Sequence, residues 1–305
     1  MPDPVELARN RFRSPDDYAR FQLFHSAHLA RHLSRFVRLE GLRILDAGCG
    51  NRGFGTYLAT LGNTVFWMDS EAFGSTMLRD AAAFAAGQGV APRFFAGDIQ
   101  GLSVRDGSFD LVVLNSVVEH VPDPDAVLAE MFRVLAPGGL AFVDFPLYYS
   151  PYGHHMAEFF PVPWQPVLFA ARVPGWLAQR VADPVRREQA LIGFRSLSRL
   201  TIRRYLASVR KAGFEIVHFR KNWYFTEEGQ KLLSAVKRAF VERTPSLIPG
   251  AIGTFCREIS PRNLLRFLFF VAIFPFQWLP FVDELTCPGV STMLRRPAAP
   301  VPGST

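Results

Sequence analysis

Charged residues and cysteines are both scarce in this chain, and each scarcity argues against a class of protein. Charged side chains make up 20% of the 305 residues and hydrophobic ones 49%, a balance that excludes wholesale disorder. The three cysteines lie far apart with no C-x-x-C pair, which argues against a disulfide framework and a structural zinc site. No carboxylate cluster has the spacing of a magnesium site, so we predict no catalytic metal.

A secretory signal is also missing, because residues 1–6 lack its basic and apolar regions, and we expect a cytoplasmic protein. The formal net charge is +7, and ten Lys and Arg residues lie between 172 and 211 with few acids among them. Such a region indicates an anionic substrate or a membrane surface, or else a solvated basic face. No recognised nucleic-acid module accompanies the charge, so we predict no nucleic-acid partner.

A short apolar strand runs into a glycine-rich loop at residues 42–55, LRILDAGCGNRGFG. Gly48, Gly50 and Gly53 fit the G-x-G-x-x-G spacing of dinucleotide enzymes. Asp46 precedes the first glycine, where a carboxylate would repel a pyrophosphate but can accept hydrogen bonds from an amine or a hydroxyl. The loop therefore indicates a nucleotide-like ligand other than a dinucleotide.

The strands that follow the loop mostly end in an acid or an amide. We predict strands two to five at 64–69, 92–98, 109–115 and 137–144. Their alternation with helices indicates parallel βαβ units, whose ligands bind at the carboxyl ends of the strands. A helix beginning after Thr201 leads to a sixth strand at 214–219, and residues 287–295 form a seventh.

The chain resembles the class I S-adenosylmethionine-dependent methyltransferases, and in particular their small-molecule, type 11-like branch. Three segments carry the resemblance: LDAGCG, AGDIQGLSVRDGSFDLVVLNSVVEHVPDPDAVLAEMFRVLAPGGLAFVDFP and AGFEIVHF. It implies an α/β fold with a Rossmann-like seven-stranded methyltransferase sheet, whose last strand inserts antiparallel between the fifth and sixth. Arg52 departs from the family pattern, which usually has a glycine at that position.

By this resemblance S-adenosylmethionine is the cofactor, and its contacts fall on the strand ends. Asp46 and Gly48 would contact its methionine moiety, and Asp69 its ribose hydroxyls. The complete predicted set is Asp46, Gly48 and Gly50 in the glycine loop, Asp69 and Ser70 after the second strand, Asp98 and Ile99 at the adenine edge, Asn115 and His120 after the fourth strand, and Gln22 in the amino-terminal helix.

Methyl transfer to an oxygen also requires a base, and histidine has a suitable pKa for this role. His154 and His155 follow the fifth strand, among tyrosines that could shape the pocket for a sugar or a ring. We predict that either one is the catalytic base. The alternative is that both are polar loop residues that hold the backbone.

The sequence divides into four parts. They are amino-terminal lid helices at 1–40, a cofactor-binding core at 41–221 with an acceptor loop at 147–195, an apolar helical insertion at 222–286, and a last strand with a tail at 287–305. The lid helix begins at Ser14-Pro15, which predicts a capped start. We favour the interpretation of the insertion as a buried helix pair. The alternatives are an acceptor lid and a monotopic membrane anchor through residues 257–282.

We therefore predict a methyltransferase that acts on an oxygen of a glycan, a lipid-linked sugar or another amphiphilic small molecule. C-methylation of a quinone or a polyketide-like lipid is the alternative reaction. A non-catalytic assembly partner that keeps the fold is the alternative from another class of protein. Peripheral contact with the inner face of the membrane accompanies the interpretation of the insertion as an anchor.

Overall fold

A computed structural model of the chain describes residues 15–50, 53–70, 82–91, 93–151, 163–182, 184–222, 241–259 and 282–298, with shorter pieces between 232 and 279. Its centre is a seven-stranded sheet in the order β3-β2-β1-β4-β5-β7-β6. The strands are β1 (Arg43–Ala47), β2 (Thr64–Asp69), β3 (Arg93–Ala96), β4 (Phe109–Asn115), β5 (Leu135–Pro146), β6 (Glu215–Asn222) and β7 (Gly289–Arg295). Strands β1 to β5 are parallel, and β7 is antiparallel to β5 and β6. The predicted sheet is thus confirmed.

The central strands are buried on both faces, as parallel strands covered by helices are. In β1 only Arg43 is exposed, and in β4 the interior from Leu111 to Leu114 is fully buried. These runs are continuous stretches of apolar residues, so they pack on either side of the sheet without an alternating pattern. Strands β2 and β4 end in the polar residues Asp69 and Asn115, which therefore lie at the carboxyl edge of the sheet.

Helices flank the sheet on both faces. Those with defined bounds are α1 (Pro15–Leu33), α2 (Gly53–Thr60), α3 (Pro124–Val134), α4 (Gln165–Leu168), α5 (Val173–Arg180), α6 (Pro184–Ser196), α7 (Ile202–Lys211), α8 (Leu247–Glu258) and α9 (Val282–Thr286). Asp123 caps α3 by accepting a hydrogen bond from the amide of Asp125 at 2.9 Å. Thr201 caps α7 through the amide of Arg204 at 3.1 Å, which confirms the predicted helix start.

Each face of the sheet has its own hydrophobic core. On one face, α3 and α7 pack through Met131, Val134 and Tyr205 against strands β4, β5 and β7. On the other face, Leu33 of α1 and Leu58 of α2 pack with the strand residues that point the opposite way. The face covered by α1 and α2 is the one on which the candidate site opens.

Helix α1 extends across this second face as far as the antiparallel part of the sheet. The ring of His32 lies 5.6 Å from that of His218 on β6 and 6.2 Å from that of Phe142 on β5. Burial is the main reason why the pKa of His32 lies below its usual value, with Arg220, His218 and Arg35 adding to the effect. The helix begins at Pro15 as predicted, whereas its predicted cap, Ser14, lies outside the described residues.

The apolar insertion differs from the favoured prediction of a buried helix pair. In the run at 264–281, Leu265 is 72% exposed, Leu268 53% and Phe276 54%, whereas Phe267 is buried against Phe255 of α8. The buried-core interpretation is therefore wrong for most of the described positions in this run. None of the helices in the described part of the chain combines the length and the apolar composition that crossing a bilayer requires.

Candidate functional site

The glycine loop after β1 leaves bare backbone at the carboxyl edge of the sheet. Gly48 and Gly50 have positive φ angles of 73° and 48°, which favour glycine. The amides of Gly48 and Cys49 both donate to the carbonyl oxygen of Met68, at 2.8 and 3.1 Å, which ties the loop to β2. A Cβ atom at Gly50 would meet no atom of the described residues within 4 Å, which leaves space for a ligand above this residue in that part of the structure.

Asp69 at the end of β2 joins the glycine loop to the next turn. Its Oδ2 accepts a hydrogen bond from the Gly50 amide at 2.9 Å, and its Oδ1 accepts one from the Ser70 amide at 2.8 Å. The side chain is only partly buried. Each carboxylate oxygen has two acceptor positions, so Asp69 can still accept hydrogen bonds from a pair of hydroxyl groups.

Asp46 occupies a different position from Asp69, because it lies beneath the loop and is only 4% exposed. A Cβ atom at Gly55 of α2 would lie 2.6 Å from Asp46 Oδ2 and 1.9 Å from the indole nitrogen of Trp67. Helix α2 therefore approaches the strands closely enough that only glycine fits at this position. The contact of Asp46 with the methionine moiety stays a prediction.

The amino-terminal helix covers the glycine loop. The amide of Gly53 donates to Gln22 Oε1 at 3.3 Å, and a Cβ atom at Gly53 would lie 2.4 Å from the Cβ of Gln22. Gln22 is thus beside the loop, as its predicted role requires. Arg52, which departs from the family pattern in this loop, lies outside the described residues.

The turn after β3 carries Asp98 and Ile99 beside Asp69. The amide of Gly97 donates to the carbonyl oxygen of Asp69 at 3.1 Å, which brings the two strand ends together. The carboxylate of Asp98 is exposed and accepts a hydrogen bond from the Gln100 amide at 2.9 Å, and Ile99 packs against the core. The residues predicted for the ribose and the adenine, Asp69 after β2 and Asp98 with Ile99 after β3, thus lie at one edge of the sheet.

Strand β4 ends in an exposed amide followed by an unusual turn. Asn115 is exposed, and Ser116 has a φ of 58°, a left-handed conformation that is rare for a residue other than glycine. The amide of Ser116 donates to the carbonyl oxygen of Asp144 on β5 at 2.7 Å. Strained backbone of this kind concentrates at functional sites.

His120 joins the turn after β4 to the acceptor region. Its Nδ1 lies 2.8 Å from Ser196 Oγ at the end of α6, and the amide of Ser198 donates to the Glu119 carbonyl oxygen at 2.6 Å. These contacts favour a role of His120 in ordering the loop, while its contact with the cofactor stays a prediction. The predicted bases, His154 and His155, lie outside the described residues, and their catalytic role stays a prediction.

One polar group at the same edge is absent from the predicted set of site residues. The Asp144 carboxylate on β5 accepts a hydrogen bond from the side-chain Nδ2 of Asn222 on β6 at 2.9 Å. It accepts another from the Ser291 hydroxyl on β7, so it ties the three strands together. Burial raises the pKa of Asp144 above its usual value, although the two hydrogen bonds act in the opposite direction. The signal in the sequence is a single acid in the otherwise apolar strand GLAFVDFP.

The arrangement fits a ligand with a nucleoside at one end and a polar tail at the other. Asp69 and Asp98 lie at the ends of β2 and β3, where hydroxyl and amine groups can be bound. The bare backbone at Gly50 lies next to them, after β1. Asn115 on β4 and Asp144 on β5 continue the row of polar residues along the carboxyl edge of the sheet. They lie past the glycine loop, on the side of the sheet that α1 covers.

Comparison with known proteins agrees with the resemblance of the sequence to methyltransferases. The family model described as a methyltransferase domain matches residues 45–143. A protein named ubiquinone biosynthesis O-methyltransferase from Caulobacter sp. (strain K31) is 35% identical over 159 residues, which covers 46% of this chain and 62% of that protein. A protein named malonyl-[acyl-carrier protein] O-methyltransferase from Pectobacterium atrosepticum is 30% identical over 128 residues, covering 42% and 48%. The chain thus spans roughly half the length of these relatives.

A solved structure shares the fold over most of the chain. It is an S-adenosylmethionine-dependent methyltransferase from Mesorhizobium loti, with a TM-score of 0.51 and 17% sequence identity, and the match covers 90% of this chain and all of that one. At this level of identity the likeness concerns the fold alone. The strand order and the antiparallel β7 are the features that the fold comparison supports.

Proposed function

Because the chain belongs to the class I S-adenosylmethionine-dependent methyltransferases, we propose that it transfers a methyl group from this cofactor to an oxygen of an amphiphilic small molecule, such as a lipid-linked sugar or another glycan or lipid. The observation that carries the proposal is the bare glycine loop after β1, joined to β2 by the Asp69 carboxylate. Both relatives described above are named O-methyltransferases, which supports an oxygen acceptor.

The chain's own residues would bind and orient the two reactants. S-adenosylmethionine supplies an electrophilic methyl group on a sulfonium, which is already a good leaving group. Asp69 would accept hydrogen bonds from the ribose hydroxyls, and the Gly50 backbone would let the methionine moiety lie close to the loop. Helix α1 would cover the loop, which Gln22 contacts, and would thereby limit the access of water to the site. Alignment of this kind supplies much of the acceleration of a displacement reaction.

The first test is binding followed by transfer. We expect the purified protein to bind S-adenosylmethionine in isothermal titration calorimetry, and to transfer labelled methyl groups to a lipid or glycan fraction of a cell extract. Excess S-adenosylhomocysteine is the control, because it should abolish the labelling. Treatment of the product with hydriodic acid should release the label as methyl iodide, since a methyl ether is cleaved and a C-methyl group is not.

Each other outcome has a definite meaning. A protein that does not bind S-adenosylmethionine contradicts the proposal as a whole. Label that resists hydriodic acid identifies C-methylation of a quinone or a polyketide-like lipid as the reaction. Binding without transfer to any fraction favours the non-catalytic assembly partner.

We further propose that the protein meets its acceptor at an anionic membrane surface, through the apolar patch formed by α8 and the described residues of 264–279. Leu265, Leu268 and Phe276 expose half or more of their surface in this patch. Residues 231–281 contain seven Lys and Arg against two Glu, and Arg257 at the end of α8 is exposed. Basic residues beside an exposed apolar face favour binding to the surface of a bilayer that carries anionic lipids.

A vesicle assay tests this surface. We expect the protein to sediment with vesicles that contain phosphatidylglycerol and to sediment less with pure phosphatidylcholine. Changing both Leu265→Asp and Leu268→Asp should weaken vesicle binding by about tenfold or more, since each leucine buries apolar area in the membrane. Ile192→Asp on α6 is the matched control, because this exposed residue lies outside the patch. Equal binding of the double variant and the wild type would contradict the proposal.

A further inference from the structure

The two oxygens of the Asp144 carboxylate have different surroundings. Oδ2 accepts hydrogen bonds from Asn222 Nδ2 and from the Ser291 hydroxyl, and Asn222 Nδ2 also lies 2.7 Å from Ser291 Oγ. No hydrogen bond reaches Oδ1 from any residue that the structure describes. One oxygen is thus held by β6 and β7, which leaves the other able to accept a proton from a bound molecule.

The position of this carboxylate in the sheet is on the acceptor side of the glycine loop. In the register of β4 with β5, Asp144 lies beside Asn115, the exposed residue that ends β4. Strand β4 is the single strand between β1 and β5, so the end of β1 and Asp144 are about 10 Å apart across the sheet. This separation leaves room for a methyl group and an acceptor oxygen between the loop and the carboxylate.

The side chains around Asp144 lie on the sheet face that α1 covers. Phe142, two residues earlier on β5, points to this face and contacts His32 of α1. Side chains two apart on a strand share a face, so Asp144 points to the same side. An acceptor bound between α1 and the carboxyl edge of β4 and β5 would therefore meet the carboxylate directly.

We propose that Asp144 is the catalytic base that removes the proton of the acceptor hydroxyl, and that Asn222 and Ser291 are positioning residues that hold its carboxylate. The inference rests on the proposed O-methylation. It differs from the assignment of the base to His154 or His155, because it uses a residue fixed within the sheet.

The acceptor hydroxyl gives its proton to Asp144 Oδ1, and an electron pair of the acceptor oxygen forms the new bond to the methyl carbon. The bond between that carbon and the sulfonium sulfur breaks, and its electron pair stays on sulfur. The products are the methylated acceptor, S-adenosylhomocysteine and a protonated Asp144, which then releases its proton to water.

The pKa of Asp144 depends on its burial and on the groups around it. Burial raises the pKa of Asp144, while Ser291, Asn222 and the positive charge of Arg220 lower it. Burial is the main reason why the pKa of Tyr205, on the opposite face of the sheet, lies above its usual value, and Asp144 adds to this effect. Asp144 acts as a base only when it is ionised, so the transfer rate should increase as the pH rises through its pKa.

The experiment uses three variants of the full chain. Asp144→Asn should bind S-adenosylmethionine within about twofold of the wild type, yet transfer methyl groups about 100-fold more slowly, the scale of a lost general base. Ser291→Ala removes a hydrogen bond that lowers the pKa of Asp144, so its rate should rise at a higher pH than that of the wild type. Asp110→Asn is the matched control, because Asp110 is the second residue of β4, lies near the opposite end of that strand and pairs there with Arg43.

A second readout does not depend on turnover. Carbon-13 NMR of protein labelled at the aspartate carboxyl groups, with Asp144→Asn identifying the signal, should show that the pKa of Asp144 exceeds the usual value. It should rise further in Ser291→Ala. A usual pKa, or wild-type transfer by a folded Asp144→Asn protein, overturns this inference alone. A wild-type protein that labels no fraction overturns the proposed function, and the inference with it.

Discussion

An Asp69→Ala protein is expected to bind S-adenosylmethionine about 100-fold more weakly than the wild type while remaining folded. The substitution removes the carboxylate that accepts hydrogen bonds from the amides of Gly50 and Ser70. It also removes the acceptor for the ribose hydroxyls, and hydrogen bonds to a charged group contribute about 1.5–3 kcal/mol each. A loss of about 2.7 kcal/mol corresponds to the expected change in the dissociation constant.

Isothermal titration calorimetry measures this affinity, and thermal unfolding shows that the variant is folded. The control is Asp110→Asn, which removes a carboxylate of the same sheet that pairs with Arg43 far from the glycine loop. We expect the control to bind the cofactor as the wild type does. An affinity of Asp69→Ala within about threefold of the wild type would show that the nucleoside is held elsewhere.

A Gly55→Val protein is expected to lose about 3 kcal/mol of its free energy of unfolding, the upper part of the range for overpacking. Even the first added carbon would lie 1.9 Å from Trp67 Nε1 and 2.6 Å from Asp46 Oδ2. Trp67 is fully buried in the centre of β2, so it has no space into which to move. Helix α2 would have to shift away from the strands and would displace the glycine loop with it.

Urea denaturation followed by circular dichroism measures the loss. The matched control is Gly250→Ala in α8, where an added Cβ meets no described atom within 4 Å and the exchange of glycine for alanine should stabilise the helix. If Gly55→Val unfolds at the urea concentration of the wild type, the close approach of α2 to Trp67 is wrong. Calorimetry on the variant should also show weaker binding of S-adenosylmethionine, because the loop moves with the helix.

The sequence predicted the sheet well because its strands carry local signals. The observed bounds of β2 and β4 are those predicted, since each is a continuous apolar run that ends in Asp69 or Asn115. Strand β5 was predicted from Pro137 but begins at Leu135, directly after α3. The register with β4 shifts at this start, because Phe109 pairs with Leu135 whereas Leu111 pairs with Leu140.

The acceptor side of the site could not be predicted in the same way, because its contacts join distant parts of the chain. Asn222 is 78 residues and Ser291 147 residues from Asp144, and only the insertion of β7 between β5 and β6 brings the three together. Likewise, the contact of His120 with Ser196 spans 76 residues. No local pattern marks such pairs, whereas the glycine loop and the strand ends have a fixed spacing.

The apolar insertion shows a different limit of sequence reasoning. Composition alone gives the same signal for a buried helix pair and for a surface that binds lipid, because both are rich in Leu and Phe. The exposure of Leu265 and Leu268 distinguishes the two interpretations. The distinction depends on what surrounds these side chains, which the sequence of the segment does not contain.

The position of β7 in the sheet also bears on how the protein is made. Among the strands that the structure describes, β6 is hydrogen-bonded to β7 alone, so it cannot join the sheet before residues 289–295 have left the ribosome. Until then β5 presents an open edge, and such edges favour association between chains. The nascent chain therefore passes through an interval in which its cofactor-binding half can fold while Asp144 still lacks both of its partners. Under the proposed function, the chain would then be able to bind S-adenosylmethionine before the hydrogen bonds that hold Asp144 in place are formed.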